Sequence, residues 1–281
     1  MKKGILIFGV FVSALCTAQK NVTNAKNIIL NKGQQITITS SATAKADMGM
    51  GMGMNSTSST INKLSVLEIM PNDYKVASRM TKMLFNAEMM GQQQHFDSDK
   101  KEDRESEFGK TVSSALDTTK LVLVNKKTGS IESQKDDNNS LLNDSNPMSG
   151  MLGAMATGGE NAIISGAFFL VPANKKIGDK WSDSSSIEGM KTVNNYSIES
   201  VEKNIVTVLV NTSVTGNTTM EAQGTELKVD LNTVSSGRII LDSNTSLVKK
   251  RITNAEINSN IEMMGQSLPV TGTATSTIIY E

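Results

Sequence analysis

Side chains that alternate with a period of two residues are the feature that most constrains the fold of this chain. The segment QITITS alternates Ile36 and Ile38 with hydroxyl side chains. Strict alternation of β-branched and polar residues is typical of a strand with one buried face. Similar strand-like runs follow at 61–69, 121–124, 196–198, 205–210 and 238–252. The sequence therefore predicts a protein dominated by antiparallel strands, with threonine and serine on an open face.

Turn signals divide these runs into hairpins. Residues 125–129 and 202–204 are polar and each separates two apolar runs, as expected for connections between antiparallel neighbours. We predict at least eight strands and a mainly β (α+β) fold. Its architecture would be a curved antiparallel sheet or half-barrel, built from two similar halves and covered by one or two short helices.

A polar, turn-rich stretch separates the two predicted halves, which are residues 19–132 and 162–281. The segment between them, 133–161, contains a linker and a short helix. The peptide EMMGQ occurs at 88–92 and again at 262–266, which supports an internal similarity between the halves.

Helical spacing is confined to two windows. In the first, 147–156, apolar residues recur at i, i+3, i+4 and i+7, which predicts one apolar helix face. A helix that caps the sheet is one interpretation, and a lid or gate is the other. The apolar residues of this window are Met148, Met151, Leu152 and Met155. Those of the second window, 108–118, are Phe108, Val112, Ala115 and Leu116.

The first 18 residues have the pattern of a Sec signal peptide. Lys2 and Lys3 precede an apolar run at 4–15, which is too short to span a bilayer, and cleavage would follow Ala18. A lipoprotein acylated at Cys16 is the alternative, although the bulky residue before this cysteine disfavours it. We expect a periplasmic or extracellular protein that does not span the membrane.

Composition removes several classes of chemistry. Cleavage would remove the only cysteine, and the formal net charge is zero with 4% aromatic residues, so we expect no thiol chemistry and no nucleic-acid partner. The only histidine, His95, has no nucleophile-elbow motif to serve and is expected at the surface. No Walker A, dinucleotide-binding or HExxH motif is present. We therefore expect no cofactor and no enzymatic activity; the oligomeric state stays open.

Four methionines alternate with glycine in the segment DMGMGMGMNS, residues 47–56. Glycine disfavours both strand and helix, so we predict a mobile loop between two strands. Thioethers also suit apolar ligands and Cu(I), and both remain alternatives. The metal candidates would be Met48, Met50, Met52 and Met54.

The order of landmarks resembles an uncharacterised family of secreted, β-rich proteins common in Bacteroidota. The FDS peptide at 96–98 and the pattern formed by Pro172, Gly178, Asp179 and Trp181 carry this resemblance most specifically. Because the family has no known activity, it implies no catalytic residue. The predicted sheet with covering helices is also similar in shape to the half-barrels of periplasmic lipoprotein carriers, and such a similarity does not fix function.

A concave sheet beneath a short apolar helix would suit a lipid or another apolar small molecule. An envelope protein with a structural or adhesive role and a filled core is the alternative from a different class. Trp181 follows a turn, so it either closes one end of the sheet core or stacks on a ligand. The residues that would line the site are Met148, Met151, Leu152, Met155, Phe168, Phe169 and Trp181.

Overall fold

The computed structural model shows a single antiparallel sheet of twelve strands. It describes residues 25–47, 49, 53–89, 91–113, 116, 118–133, 160–187, 189–222, 225–263 and 266–281. The strands are β1 (Gln35–Asp47), β2 (Gly53–Ile69), β3 (Asp73–Met89), β4 (Gln92–Asp97), β5 (Thr119–Asn125), β6 (Ile131–Ser133), β7 (Lys180–Ile187), β8 (Met190–Glu202), β9 (Ile205–Ala222), β10 (Thr225–Asp242), β11 (Leu247–Met263) and β12 (Gln266–Tyr280). The helices within the described ranges are α1 (Lys101–Glu105), α2 (Glu107–Ser113) and α3 (Glu160–Ser165).

Sequential hairpins build most of the sheet, as the turn signals predicted. The spatial order is β6-β5-β3-β2-β1-β12-β11-β10-β9-β8-β7, and β4 pairs with part of β3. The first and last of these strands in the chain, β1 and β12, pair at the centre, with Ala44 opposite Ala274. The curved antiparallel sheet predicted from the alternation is confirmed. We call β1 to β6 the first wing and β7 to β12 the second wing, and the two wings meet along the β1–β12 pair.

The two faces of the sheet differ in composition and burial. We call the face that carries the buried core the inner face, and the other the outer face. In β1, for example, Ile36 and Ile38 are buried on the inner face, whereas Thr39 and Thr43 are exposed on the outer face. We call the end of the sheet that contains the β2–β3 connection the near end. The β1–β2 connection lies at the opposite, far end.

The main hydrophobic core lies at the near end. Two segments outside the strands fill it. Residues 25–34 cross between the wings, with the Ile28 N–H donating to Lys126 O and the Ile29 N–H to Thr245 O. Helix α3 and the chain after it contribute Ile163, Ile164, Ala167, Phe168 and Val171 to the same buried cluster.

A second, smaller core lies beneath α2 on the first wing. Phe108 stacks on Phe85 with ring centroids 5.6 Å apart and meets Phe96 edge-on at 5.8 Å. Val112 and Leu116 are buried in the same cluster. This packing explains the predicted apolar spacing at 108–118, although α2 ends at Ser113. A separate short helix, α1, precedes it and contains no buried residue.

Several predicted boundaries need correction. The expected loop at 47–56 is shorter, because β1 continues to Asp47 and β2 already begins at Gly53. Backbone pairing along the whole β1–β2 hairpin offsets the weak strand preference of glycine. Helix α3 was not predicted, and the predicted helix at 147–156 lies outside the described residues. None of the described helices has the length and apolar character needed to cross a membrane.

Candidate functional site

Beyond the near-end core, the inner face carries small side chains across five neighbouring strands. Strand register aligns these residues in two rows, and all of them are half-buried. The first row is Ser58, Ala42, Ser276, Thr253 and Gly237; the second is Ser56, Ala44, Ala274, Ala255 and Ser235. The described helices pack elsewhere, with α3 in the near-end core and α2 over β3 and β4. The two rows therefore form a shallow floor that none of the described helices covers.

Larger apolar side chains continue this floor toward the far end. Ile257, Ile261, Val270 and Leu268 lie on the inner face of β11 and β12 and are half-buried. Their outer-face neighbours, such as Asn258, are exposed and polar. An antiparallel sheet commonly has one apolar face and one polar face. Where the apolar face extends beyond the core, it is a candidate binding surface. We call the two small-residue rows and this apolar extension the inner floor.

An aromatic cluster bounds the inner floor on the second wing. The Trp181 ring stacks on Tyr196 with centroids 5.3 Å apart and planes 19° apart. Phe169 approaches the same tyrosine at 5.4 Å. Strand pairing of β7 with β8 places Trp181 opposite Tyr196, and the chain after α3 supplies Phe169.

Arg251 lies between the filled core and the inner floor. Its strand neighbours on the inner face are Ile278 and Ile239. The guanidinium Nε donates to Gly166 O at 2.9 Å, and the Cζ atom lies 5.9 Å from the centroid of Phe169. Burial lowers the pKa of Arg251 below its usual range, although Tyr280 and Tyr196 oppose that shift. A cation is thus held among aromatic and apolar groups.

Two tyrosines frame this arginine. Burial raises the pKa of Tyr280 to about 12, and its hydroxyl donates to Ile163 O at 3.2 Å. Burial also raises the pKa of Tyr196 to about 12, and Asp183 adds to that shift. Both hydroxyl groups are therefore neutral at physiological pH, so they hydrogen-bond and do not neutralise Arg251.

Asp183 is held within a polar network on the second wing. Its carboxylate accepts hydrogen bonds from the Tyr196 hydroxyl at 3.1 Å and from Asn194 Nδ2 at 2.8 Å. Asn194 Oδ1 in turn accepts from the Thr212 hydroxyl at 2.7 Å. This network fixes the orientation of Tyr196, and therefore of the ring on which Trp181 stacks.

The structure brings part of the predicted site together. Phe169 and Trp181 both contact Tyr196, whereas Phe168 is buried in the near-end core. Trp181 is the second residue of β7 and packs against that core while staying half-buried, as predicted from the turn before it. The other predicted residues, Met148, Met151, Leu152 and Met155, lie outside the described residues.

Three Met- and Gly-containing turns share the far end of the sheet. The β1–β2, β3–β4 and β11–β12 connections all lie there, and Met54 pairs with Met89 across β2 and β3. Met54 is buried, with 6% of its side chain exposed. Because Asp47 is opposite Thr271 and β12 begins at Gln266, the third turn projects roughly 17 Å farther. Met48, Met50 and Met52 lie outside the described residues, so Cu(I) binding by this segment stays an untested alternative to the predicted loop.

A concavity lies on the outer face of the first wing, across β1 to β4. It has a volume of about 600 Å³ and is lined mostly by outer-face residues, which include Thr43, Asn86 and His95. His95 Nδ1 lies 2.6 Å from Asn86 Oδ1, and its Nε2 lies 3.5 Å from Asp103 Oδ2. Within the described ranges, no three His, Cys, Asp or Glu side chains come close enough to hold a metal. The sequence indicated no nucleophile that His95 could activate. In the structure His95 is an exposed residue of strand β4.

Sequence patterning missed Arg251 because a β-bulge reverses its side. Val248 is buried on the inner face, and strict alternation would place Lys250 beside it and Arg251 outside. Between Ile240 and Leu241 of β10 the register shifts, so that β11 contains one extra residue and Arg251 turns inward. Lys249 and Lys250 directly precede Arg251. The sequence alone therefore does not show which of these three cationic side chains points inward.

Part of this chain matches the model of a known protein family. Residues 159–248 match the model of a family of unknown function, DUF6263. The match confirms the predicted resemblance to a family without an established activity. It covers α3, Trp181, Tyr196 and the strands beside them, but ends before Arg251. No curated protein matches the sequence of this chain.

The fold is similar to that of lipovitellin, in a structure described by its lipid–protein interactions. The TM-score is 0.52 at 9% sequence identity, with 90% of this chain and 25% of the lipovitellin chain covered. This chain therefore spans about a quarter of that protein, and the similarity concerns the fold alone.

Two bacterial structures match with lower scores. An outer-membrane channel from Pseudomonas putida F1 gives a TM-score of 0.26 at 6% identity, covering 90% of this chain and 97% of the channel. The translocator domain of the autotransporter NalP from Neisseria meningitidis gives 0.22 at 8% identity, covering 89% of each chain. At these scores neither match carries a structural argument.

Proposed function

We propose that this protein is an exported, non-enzymatic carrier that binds an apolar ligand such as a lipid on the inner floor of its sheet. The observation that supports this proposal most directly is the long inner face beyond the core, where half-buried small residues lead to half-buried Ile, Leu and Val side chains. A ligand that removes such apolar side chains from water lowers the free energy by about 25 cal/mol per Å² of apolar surface that it covers.

The comparisons add a parallel at the level of fold. Lipovitellin, whose structure was described for its interactions with lipid, has a similarly arranged sheet over 90% of this chain. The predicted signal peptide at 1–18 supports export. A non-catalytic role follows from the single histidine and from the absence of a recognised catalytic motif in the sequence.

Native mass spectrometry of the exported protein, purified without detergent, tests the proposal. We expect a fraction with a lipid-sized excess mass that organic extraction removes. A clean ligand-free mass in repeated preparations would contradict the carrier and favour the structural or adhesive envelope protein.

Two bulky substitutions separate the faces of the sheet. Ala255→Phe places a ring on the inner floor, whereas Asn254→Phe places one on the exposed outer face of the same strand. We expect the first variant to lose the co-purifying lipid and the second to retain it. Equal retention by both variants would place the ligand elsewhere.

A further inference from the structure

Arg251 is a charged residue within an apolar row of the inner face. In the strands on either side, Ile278 and Ile239 occupy the same level. One step toward the far end, the row of Ser276, Thr253 and Gly237 begins the inner floor. The guanidinium therefore lies where the filled core stops and the floor starts.

The hydrogen-bonding capacity of this guanidinium is only partly used. Its Nε donates to Gly166 O at 2.9 Å, and its Cζ atom lies over the Phe169 ring at 5.9 Å from the centroid. Among the residues that the structure describes, neither terminal nitrogen has an acceptor and no carboxylate lies within 4 Å of the group. Asp183 instead binds Tyr196 and Asn194. An arginine has five N–H donors, and a buried charge without a counterion is unfavourable.

A second arginine on the neighbouring strand shows the contrast. Arg238 lies on the outer face of β10 and forms a two-pronged ion pair with Glu199, with both N···O distances 2.9 Å. This arrangement leaves Arg238 electrostatically paired and in contact with solvent. Arg251 therefore differs from Arg238 in lacking a carboxylate among the described residues.

We propose that Arg251 binds the anionic head group of an amphiphile whose apolar tail lies along the inner floor toward the far end. This inference rests on the proposed function and specifies its ligand. A carboxylate or a phosphate ester would satisfy the free N–H donors and neutralise the cation. Along β11, the path from Arg251 to Ile261 is roughly 34 Å at the rise of an antiparallel strand. Its inner-face side chains lead from Thr253 and Ala255 to Ile257 and Ile261, with the buried Ser259 between the two isoleucines.

The surroundings favour an amphiphile over a small free anion. Phe169 lies against the guanidinium, and through Tyr196 it connects to the half-buried ring of Trp181. These rings offer apolar contact to the first carbons of a chain, but nothing to an inorganic anion except shielding from water. Charge and apolar surface thus act on two parts of one ligand.

The single tryptophan provides the readout. Trp181 lies in the aromatic cluster beside the proposed head-group position, so binding there will change its fluorescence. Full-length exported protein, stripped of endogenous lipid, is titrated with oleate, with oleyl alcohol and with inorganic phosphate. Oleyl alcohol has the same chain as oleate without the charge, and phosphate supplies charge without a chain. We expect oleate to bind at least tenfold more tightly than oleyl alcohol, and phosphate not to bind.

Two arginine variants assign the effect to one side chain. Arg251→Met keeps an apolar chain and removes the charge, so oleate affinity should fall about tenfold to hundredfold while oleyl alcohol affinity is unchanged. Arg238→Met is the matched control and should bind oleate like the original protein. Circular dichroism verifies folding of both variants, and the oleate-to-alcohol comparison in the unchanged protein requires no variant.

The possible outcomes separate the two proposals. If oleate and oleyl alcohol bind equally well to the unchanged protein, the carrier stands and the role of Arg251 is overturned. If phosphate alone binds, the site accepts a free anion and the amphiphile is overturned. If no probe changes the fluorescence and native mass spectrometry finds no lipid, the proposed function itself fails.

Discussion

At the level of single residues, the smaller core shows how few aromatic rings hold α2 against the first wing. Phe85 has no exposed surface, and it stacks on Phe108 of α2. Phe96 reaches the same ring from β4. This contact fixes α2 against the sheet, since a helix of this length has little stability by itself.

Truncation of the buried ring should therefore be strongly destabilising. We expect Phe85→Ala to lower the free energy of unfolding by about 3–5 kcal/mol, because it leaves a cavity and removes the stacked contact. Val234→Ala is the control, since this outer-face valine is 55% exposed and should change stability by less than about 0.5 kcal/mol. Urea denaturation measures both; similar midpoints for the two variants would contradict the assigned packing.

Because of the two tyrosines beside Arg251, we expect the stability of the folded protein to fall at alkaline pH. The pKa of Tyr196 and that of Tyr280 are each raised to about 12, mainly by burial. Between pH 10 and 12 the folded state therefore retains protons that the unfolded chain loses, so this contribution to stability is present below pH 10 and disappears as the pH rises through 12.

Phenolate absorbance near 295 nm measures this effect. Two of the three tyrosines should ionise with midpoints near 12, and the denaturation midpoint should fall over the same interval. Tyr280→Phe should remove one of the late-ionising groups. Complete ionisation of all three tyrosines by pH 11 in the folded protein would contradict the burial of Tyr196 and Tyr280.

At the level of strands and helices, local patterning determined the hairpins. The turns at 125–129 and 202–204 connect β5 to β6 and β8 to β9, as predicted. Each prediction depended on residues adjacent in the chain. The pairing of β1 with β12 joins residues such as Thr43 and Thr275, which are 232 positions apart, and alternation within one strand carries no information about its distant neighbour.

The candidate site was less predictable than the fold for a related reason. Trp181 drew attention in the sequence because it is the only tryptophan and follows a turn. The inward position of Arg251 depends on the register shift between β10 and β11, and a bulge of this kind is a property of two paired strands. Small residues such as Ala255 can be recognised as part of one surface only when the strand register that aligns them across the sheet is known.

Close approach at the central pair leads to a prediction about glycine. An added Cβ at Gly272 of β12 would lie 2.5 Å from Lys45 O, a backbone atom of β1. The corresponding position at Gly53 of β2 would be 3.9 Å from Ala46 O. We expect Gly272→Ala to destabilise the protein by about 1–3 kcal/mol and Gly53→Ala to be tolerated. Thermal unfolding of the two variants makes the comparison, and the reverse order would contradict the strand register.

At the level of the whole molecule, the two wings depend on contacts outside the sheet. Residues 25–34 bond to the β5–β6 and β10–β11 connections, and α3 places Ile163 O against the Tyr280 hydroxyl. The near end is therefore a filled core that includes parts of both wings. The inner floor extends from this core toward the far end, and it is the surface on which we propose that a ligand binds.

The β1–β12 pair also sets the order in which the molecule is completed. During synthesis β1 emerges before every other strand of the sheet, and β12 emerges after them. Until then β1 has one unpaired edge, which is a template for unwanted pairing between chains. Long loop closure slows such a fold, so nascent molecules spend an extended time vulnerable to aggregation.

A pair of introduced cysteines would time this final closure. Thr43 and Thr275 face each other with hydroxyl oxygens 2.7 Å apart, so Thr43→Cys with Thr275→Cys, in a Cys16→Ser background, should cross-link only after the other strands are protected from hydrogen exchange. Cross-linking ahead of that protection would show that the centre forms first. If closure is last, the edge of β1 stays exposed until nearly the whole chain has been made, and something other than the fold itself must shield it from other chains for that time.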